Sequence, residues 1–392
     1  MSRVVVAGTG LIPFGKHPEQ SIAPMSVAAA SAALRDAGVG VRDIDAVYFG
    51  NAAAGLLTGQ EMVRGQAALR KLGLSGQPVF NIENACASSS SAFFLAWSAV
   101  LAGQFDCVLV VGAEKFLHPD KSVTSLALSS AVDQDELAET RQRLGSHASS
   151  IFMDLYAERV RAYASRTGAT PEDFANVAVK TRAAGVANPN AFIRSPAARE
   201  EVLSSRMISE PLTMLMCAPN ADGAAAVVLC SEEFARRRGN GEVYVRSCVV
   251  TSGIADRESE GIVERAAIKA YEQAGIGPQD VDVVELHDAT TPAELWLYEM
   301  LGLCGPDQGP DFFRKGSTAL GGRVPVNPSG GMLCRGHPVG ASGLAQVCEL
   351  ADQIRGRSGE RQKQGARVGL AENSGGRVGR ESAAAVVTIL SS

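Results

Sequence analysis

Residues 28–51 read AAASAALRDAGVGVRDIDAVYFGN, and residues 264–288 read ERAAIKAYEQAGIGPQDVDVVELHD. Both stretches predict an amphipathic helix ended by a glycine, then an Asp-x-Asp turn, then a β-strand. Four residues recur at a constant offset of 237: Gly38, Gly40, Asp43 and Asp45 correspond to Gly275, Gly277, Asp280 and Asp282. The repeat therefore predicts a chain built from two related α/β halves.

A second pair of stretches supports the duplication. DGAAAVVL at 222–229 and ESAAAVVTIL at 381–390 are Ala/Val runs typical of strands buried on both faces. RRRGNGE at 236–242 suits a linker between the halves, and its arginines also fit a solvated helix end. Residues 119–218 have no counterpart and indicate an insertion that shapes a site or an interface. We predict an N-terminal half (1–118 with 219–238), an inserted domain (119–218) and a C-terminal half (239–392).

The composition indicates a globular protein with reduced thiols. The chain has 392 residues, 46% hydrophobic and 20% charged, and a net charge of −5 that does not suggest a nucleic-acid binder. Its eight cysteines lack CxxC spacing, so neither a disulfide framework nor a metal site is expected. The N-terminal apolar run is too short for a signal peptide, no stretch is long enough to span a membrane, and the C-terminal TILSS is not a peroxisomal signal. We expect a cytoplasmic protein that does not enter membranes.

One cysteine lies where a strand passes into a helix. In NIENACASSSSAFFLAWSAVLAG, residues 81–103, Cys86 precedes a long helical run closed by Gly103. Free backbone N–H groups at a helix N-terminus favour a thiolate and can bind an oxyanion. Cys86 is therefore a candidate nucleophile, with a pKa predicted below the roughly 8.5 of a free thiol. A small buried core cysteine is the alternative.

A thiol nucleophile needs a proton acceptor, and the chain offers five histidines. His337 lies in NPSGGMLCRGHPVGASG, residues 327–343, whose glycines predict a tightly turned loop that a ligand can approach closely. His287 ends the second copy of the repeated strand, where the first copy has Gly50. His147, in the insertion, is a weaker candidate. The remaining two, His17 and His118, are expected at the surface.

Four motifs together carry a family resemblance. NACASSSSAFFLA, PLTMLMCAPNADGAAAVVL, ELHDATTPAELWLYEMLGLC and NPSGGMLCRGHPVGASGL resemble the thiolases, specifically sterol carrier protein-type thiolases and lipid-transfer-type acetyl-CoA acetyltransferases. The resemblance spans essentially the whole chain. It implies duplicated βαβαβαββ halves in a five-layered αβαβα sandwich, with an inserted loop domain that contacts coenzyme A and the subunit interface.

The resemblance also implies roles for individual residues. Cys86 would accept the acyl group as a thioester, and His337 would assist its activation and then help bind the thioester oxygen. His287 occupies the first position of the family's HDCF-type motif and would complete an oxyanion hole. The backbone N–H groups of Cys86 and Gly376 would hold a second oxyanion.

The chain departs from the family at both positions that carry an acid/base cysteine. The CxG motif of conventional thiolases reads Ser374-Gly375-Gly376, and the cysteine of HDCF is Ala289. An ordinary serine hydroxyl is too weak an acid and base to replace a thiol, so slow cleavage of acetoacetyl-CoA is expected. Cys334, three residues before His337, is a further candidate for the missing thiol, and packing under the loop is the alternative.

Three functions stay open on the sequence. The first is a thiolase-like acyltransferase that uses a coenzyme A thioester as substrate and binds no covalent cofactor. The second is a retro-aldol lyase working with a small OB-fold partner, and the third is a non-catalytic subunit that binds acyl-CoA or lipid. A homodimer or tetramer is expected, because the repeated buried strands leave the N-terminal half with an edge, and the resemblance implies that this edge pairs across a two-fold axis.

Overall fold

The computed structural model describes residues 3–145, 150–239, 242–254 and 261–392. The first part of the chain forms β1 Val4–Leu11, α1 Ile22–Asp36, β2 Ala46–Gly50, α2 Ala54–Thr58, α3 Arg64–Leu69, β3 Val79–Ile82, α4 Ser88–Leu101 and β4 Cys107–Glu114. A helical segment follows, with α5 Lys121–Ser129, α6 Leu137–Leu144, α7 Ile151–Thr167, α8 Pro171–Val186, α9 Arg199–Ser204, β5 Met207–Ser209 and β6 Leu212–Thr213. Then come β7 Gly223–Ser231 and α10 Glu232–Arg237.

The last part of the chain repeats the order of the first. It forms β8 Tyr244–Ser252, α11 Ile262–Ala274, β9 Val283–Glu285, α12 Thr291–Met300, α13 Gly309–Arg314, α14 Gly331–Arg335, α15 Ser342–Ile354, β10 Val368–Gly375 and β11 Ala384–Ser391. The repeated helix, turn and strand of the sequence are α1–β2 and α11–β9. Part of the proposed linker belongs to α10, which ends at Arg237, so these arginines do form a solvated helix end.

The hydrogen-bond pattern of the strands shows the duplication directly. Nine strands pair in the order β3-β2-β4-β7-β1-β8-β11-β10-β9. In the first half β2 is parallel to β3 and β4, while β7 is antiparallel to β4 and β1. In the second half β9 is parallel to β10, and β11 is antiparallel to β10 and β8. A parallel bridge from Val284 to Val326 takes the place of β3 there, and the halves join where Val5 pairs with Tyr244.

Three large hydrophobic clusters fill the spaces between five layers, and the central one surrounds the middle layer of helices. The central cluster joins α4 and α15 to the strands of both halves. The second cluster lies between α1 and the other face of the first-half strands, and the third lies between α11, α12 and the other face of the second-half strands. Val4 and Val6 point into the central cluster while Val5 and Ala7 point into the second, as the period of a strand requires. The layers are therefore αβαβα, as expected.

The helical segment between β4 and β7 packs onto the second half. Apolar residues of α7 and α8, including Val160 and Phe174, belong to the same cluster as α12. Helix α8 begins with a capping box, in which Thr170 and Asp173 each accept a hydrogen bond from the other's backbone N–H. This segment corresponds to the predicted insertion, whose domain boundaries stay a prediction. Among the described residues, no helix has the length and apolarity needed to cross a membrane.

Candidate active site

A sharp turn between β3 and α4 presents Cys86. Residues 85–87 form a single 3₁₀ turn, and α4 starts at Ser88. Ala85 has a φ of 48°, a left-handed conformation that is uncommon for a residue with a Cβ atom and is often found at functional sites. Its N–H donates to Glu83 Oε1 at 2.6 Å. Cys86 therefore lies at the entrance of a helix, as the sequence predicts.

His337 faces the thiol of Cys86. Its Nε2 lies 3.3 Å from Cys86 Sγ, and its Nδ1 lies 2.8 Å from Ser342 Oγ. The Ser342 hydroxyl donates its own hydrogen to the Pro338 carbonyl at 3.0 Å, so the proton between Ser342 and His337 belongs to Nδ1. Nε2 is then left with its lone pair directed at the thiol. His337 is held in the tautomer that a general base for Cys86 needs.

His287 is held in the opposite tautomer. Its Nδ1 accepts hydrogen bonds from the Ser374 backbone N–H at 3.3 Å and from Asn373 Nδ2 at 3.1 Å. The Asn373 amide is oriented by Ser90, whose hydroxyl donates to Asn373 Oδ1 at 2.9 Å. The proton of the neutral ring is therefore on Nε2, which makes His287 a hydrogen-bond donor.

The three side chains converge on one point. Cys86 Sγ and one ring nitrogen from each of His287 and His337 lie within 4.8 Å of one another, and the ring centroids are 5.3 Å apart. Such spacing could hold a metal ion. Metal-binding histidines, however, normally donate their second N–H to an acceptor, whereas Nδ1 of His287 accepts from two donors. This arrangement suits an oxyanion better than a metal.

Backbone N–H groups complete the surroundings of the sulfur. The backbone N–H groups of Cys86 itself and of Gly376 lie close enough to Cys86 Sγ to lower the pKa of its thiol. Strand β10 ends against the Cys86 turn so closely that a Cβ atom at Gly375 would lie 2.5 Å from Ala87 N. Gly376 continues this approach with a φ of 64°. The geometry fits the two N–H groups that the resemblance implies for the second oxyanion.

Both partners of the Cys86–His337 pair are neutral at rest. Burial is the largest cause that raises the pKa of Cys86 to about 12, and the Glu114 carboxylate adds to it. Burial lowers the pKa of His287 to about 4 and that of His337 well below its usual value. The sequence predicts a lowered thiol pKa, but burial outweighs the helix N-terminus in the folded chain.

Glu114 is a functional-site residue that the sequence analysis missed. It ends β4 beneath the site, where it accepts hydrogen bonds from Gly340 N at 3.0 Å, Ala52 N at 2.9 Å and Asn51 Nδ2 at 2.8 Å. It thereby ties the loop that carries His337 to the loop that follows β2. Burial raises its pKa to about 7. No local sequence pattern marks such a residue, because its partners come from distant segments.

The three side chains open into a cavity of about 1280 Å³. Apolar side chains of the helical segment form much of its wall, and they include Phe116, Leu128, Phe152, Met153 and Tyr156. Ala289 and Ser374, the positions without the family's cysteines, also line it. So does Cys217, which the sequence analysis did not single out. The cavity is large enough for a bulky acyl group together with part of the coenzyme A to which it is attached.

Of the two remaining candidates, the structure describes only Cys334, and it lies away from this site. Cys334 is fully buried, its Sγ donates to the Thr181 carbonyl at 3.4 Å, and it is absent from the cavity lining. These contacts favour packing under the loop. His147 lies outside the described residues.

Comparison with known proteins identifies relatives over most of the chain. The family model for the thiolase N-terminal domain matches residues 4–233, and that for the thiolase C-terminal domain-like family matches residues 254–392. Benzoylsuccinyl-CoA thiolase subunit BbsB of Thauera aromatica is 38% identical over 361 residues, which are 90% of this chain and 89% of the relative. An acetyl-CoA acetyltransferase of Methanothermobacter thermautotrophicus is 36% identical over 382 residues, 96% and 97% of the two chains.

Solved structures share the fold. The Ltp2–ChsH2(DUF35) aldolase superposes with a TM-score of 0.82 at 24% identity, covering 98% of this chain and 97% of that chain. At this identity the likeness establishes the architecture alone.

Proposed function

Since this chain belongs to the thiolase family and is an acyltransferase, we propose that Cys86 carries the acyl group and that the enzyme makes or breaks the carbon–carbon bond next to a coenzyme A thioester. One observation carries the proposal: Cys86 Sγ lies 3.3 Å from a His337 nitrogen whose lone pair faces it. The pair opens into a cavity that can hold an acyl-CoA.

In the cleavage direction the first step forms the acyl-enzyme. His337 Nε2 takes the proton of Cys86 as the sulfur attacks the 3-keto carbon of the substrate. Because both groups are neutral at rest, charge develops only in the transition state, where it is stabilised by the N–H groups of Cys86 and Gly376. Collapse of the tetrahedral oxyanion then breaks the bond between C2 and C3.

The second product leaves as an enolate of its coenzyme A thioester. The Nε2–H of His287 and the newly protonated Nε2 of His337 provide two donors for the enolate oxygen. The proton taken from Cys86 is delivered to C2 of the enolate. Coenzyme A then attacks the thioester on Cys86, and its thiol proton passes through His337 to the departing sulfur. The steps assign a role to each of the three converging side chains.

Intact-protein mass spectrometry tests the proposal. After incubation with acetyl-CoA, we expect the protein to gain the mass of one acetyl group, and peptide mapping should place it on Cys86. Cys86→Ala should gain none. Cys217→Ser provides the matched control, because this second cavity thiol should not be needed for labelling. A wild-type protein without an adduct, or an adduct that survives in Cys86→Ala, would overturn the proposal.

Retro-aldol cleavage is the second candidate function. It is favoured by the cavity positions Ala289 and Ser374, which lack a thiol, and by the fold shared with the Ltp2–ChsH2(DUF35) aldolase. A retro-aldol reaction consumes no coenzyme A and needs no acyl-enzyme. Activity that persists in Cys86→Ala without added coenzyme A would therefore favour the lyase.

A further inference from the structure

Ser374 is not an ordinary serine hydroxyl. It lines the cavity near the end of β10, two residues after Glu372, so both side chains lie on the same face of the strand. The Ser374 hydroxyl donates to Glu372 Oε1. Glu372 Oε2 accepts the backbone N–H of His287 at 3.1 Å. A hydroxyl in the cavity is thus connected to a carboxyl group that is 0% exposed.

The environment of Glu372 suits a group that exchanges a proton. Burial raises its pKa, while the hydrogen bonds from Ser374 and His287 oppose this shift. Both oxygens of the Glu372 carboxylate accept hydrogen bonds, so the group is placed to receive a proton from the Ser374 hydroxyl. The same strand end also holds the catalytic geometry in place, because the Ser374 backbone N–H fixes the tautomer of His287.

We propose that Ser374 is the catalytic residue that transfers the proton at C2 of the substrate, with Glu372 behind it as proton reservoir. This inference rests on the proposed thiolase-type function and supplies the acid and base that the missing cysteines would provide. It replaces the expectation that the Ser374 hydroxyl is too weak an acid and base to take over from a thiol.

The proton count closes over one turnover. In the bond-forming direction, Ser374 Oγ takes a C2 proton of acetyl-CoA as its own proton passes to the Glu372 carboxylate, and the electron pair of the C–H bond forms the enolate. When the enolate attacks the thioester on Cys86, the Glu372 proton returns to Ser374 Oγ, and the Ser374 proton reaches the departing Cys86 sulfur by way of His337. The proton that Cys86 lost on acylation has by then left with the first coenzyme A. The Glu372 carboxylate and the Ser374 hydroxyl are then both back in their starting protonation states.

Three other residues that line the cavity are less suited to this role. Ala289 has no proton to transfer. The Cys217 thiol donates to the Thr213 carbonyl at 3.4 Å, and burial raises its pKa to about 12. Tyr156 stacks on Trp296 at a centroid distance of 6.3 Å, and burial raises the pKa of its phenol well above its usual value.

Exchange of the C2 protons of acetyl-CoA in D₂O isolates the proposed step from the rest of the reaction. We expect Ser374→Ala and Glu372→Gln to slow this exchange about 10²-fold or more, the usual worth of a general acid–base group. Both should still form the acetyl-enzyme on Cys86. Ser329→Ala is a matched control, because Ser329 donates to the buried Glu285 at 2.6 Å outside the cavity. It should exchange like the wild type.

A rescue experiment separates proton transfer from structural support. A thiol at position 374 can act without a carboxyl partner, so Ser374→Cys combined with Glu372→Gln should exchange C2 protons much faster than Glu372→Gln alone. If Glu372 only supported the fold around His287, the double variant would be as slow as Glu372→Gln, which would overturn the inference. Wild-type exchange in Ser374→Ala would overturn it as well. Failure of the wild type to acylate Cys86 would instead overturn the proposed function itself.

Discussion

Cys86 and His337 form a neutral pair, in which the thiol proton moves to the imidazole only when the sulfur attacks the substrate. The thiol points to an imidazole lone pair, and burial keeps both groups uncharged. An ion pair at this position would place two charges in a buried site before any substrate is bound, at a cost in desolvation. A neutral pair instead develops its charge where the N–H groups of Cys86 and Gly376 already lie.

Alkylation of Cys86 should therefore depend steeply on pH. A thiol whose pKa is raised to about 12 stays protonated through the neutral range, so the iodoacetamide labelling rate should rise about tenfold per pH unit from pH 7 to 10. Peptide mass spectrometry would measure the rate. The urea-unfolded chain is the reference, whose labelling should level off above roughly pH 8.5. A folded-state plateau already reached at pH 7 would contradict the neutral pair.

The sequence predicted the residues that converge, but not the groups that tune them. Cys86, His287 and His337 were recognisable because each belongs to a local motif. The pKa of Cys86 was predicted in the wrong direction, because burial depends on the packing of distant segments. Glu372 was missed for a related reason: only the folded strand shows that its carboxyl group accepts the Ser374 hydroxyl.

At the scale of elements, the internal repeat was the strongest predictor. The constant offset between residues 28–51 and 264–288 identifies α1–β2 and α11–β9 as equivalent pairs. Strand order could not be read from it. That order depends on pairings between distant segments, such as β1 with β8 through Val5 and Tyr244. The helical segment was visible only as a stretch without a counterpart.

Helix α8 offers a test of how this segment is anchored. Thr170→Ala removes the side chain that caps the helix and should cost about 1 kcal/mol, which corresponds to about fivefold faster hydrogen exchange in its first turn. Ser21→Ala is the matched control, since Ser21 precedes α1 without a side-chain cap bond. Mass-spectrometric hydrogen exchange would compare both. Equal effects in the two helices would show that the capping box contributes nothing.

At the scale of the whole molecule, the two ends of the sheet differ. Strand β9 is covered by the bridge between Val284 and Val326, whereas β3 has only β2 as a neighbour among the described residues. Phe80 on β3 is 43% exposed, and the cavity with Cys86 opens beside the same strand. An unpaired edge with an exposed aromatic side chain is a surface that invites pairing with a second strand.

We therefore expect a homodimer, or a dimer of dimers, in which β3 pairs with its counterpart across a two-fold axis. Light scattering at micromolar concentration should give at least twice the chain mass of 40.9 kDa. Phe80→Asp places a charge in the contact and should shift the protein toward the monomer. Ile268→Asp is the matched control, because Ile268 is 52% exposed on α11, away from the edge, and its replacement should leave the mass unchanged. A wild-type protein that is monomeric at this concentration would show that the edge is not used for self-association, and the unpaired strand would then need a different partner to cover it.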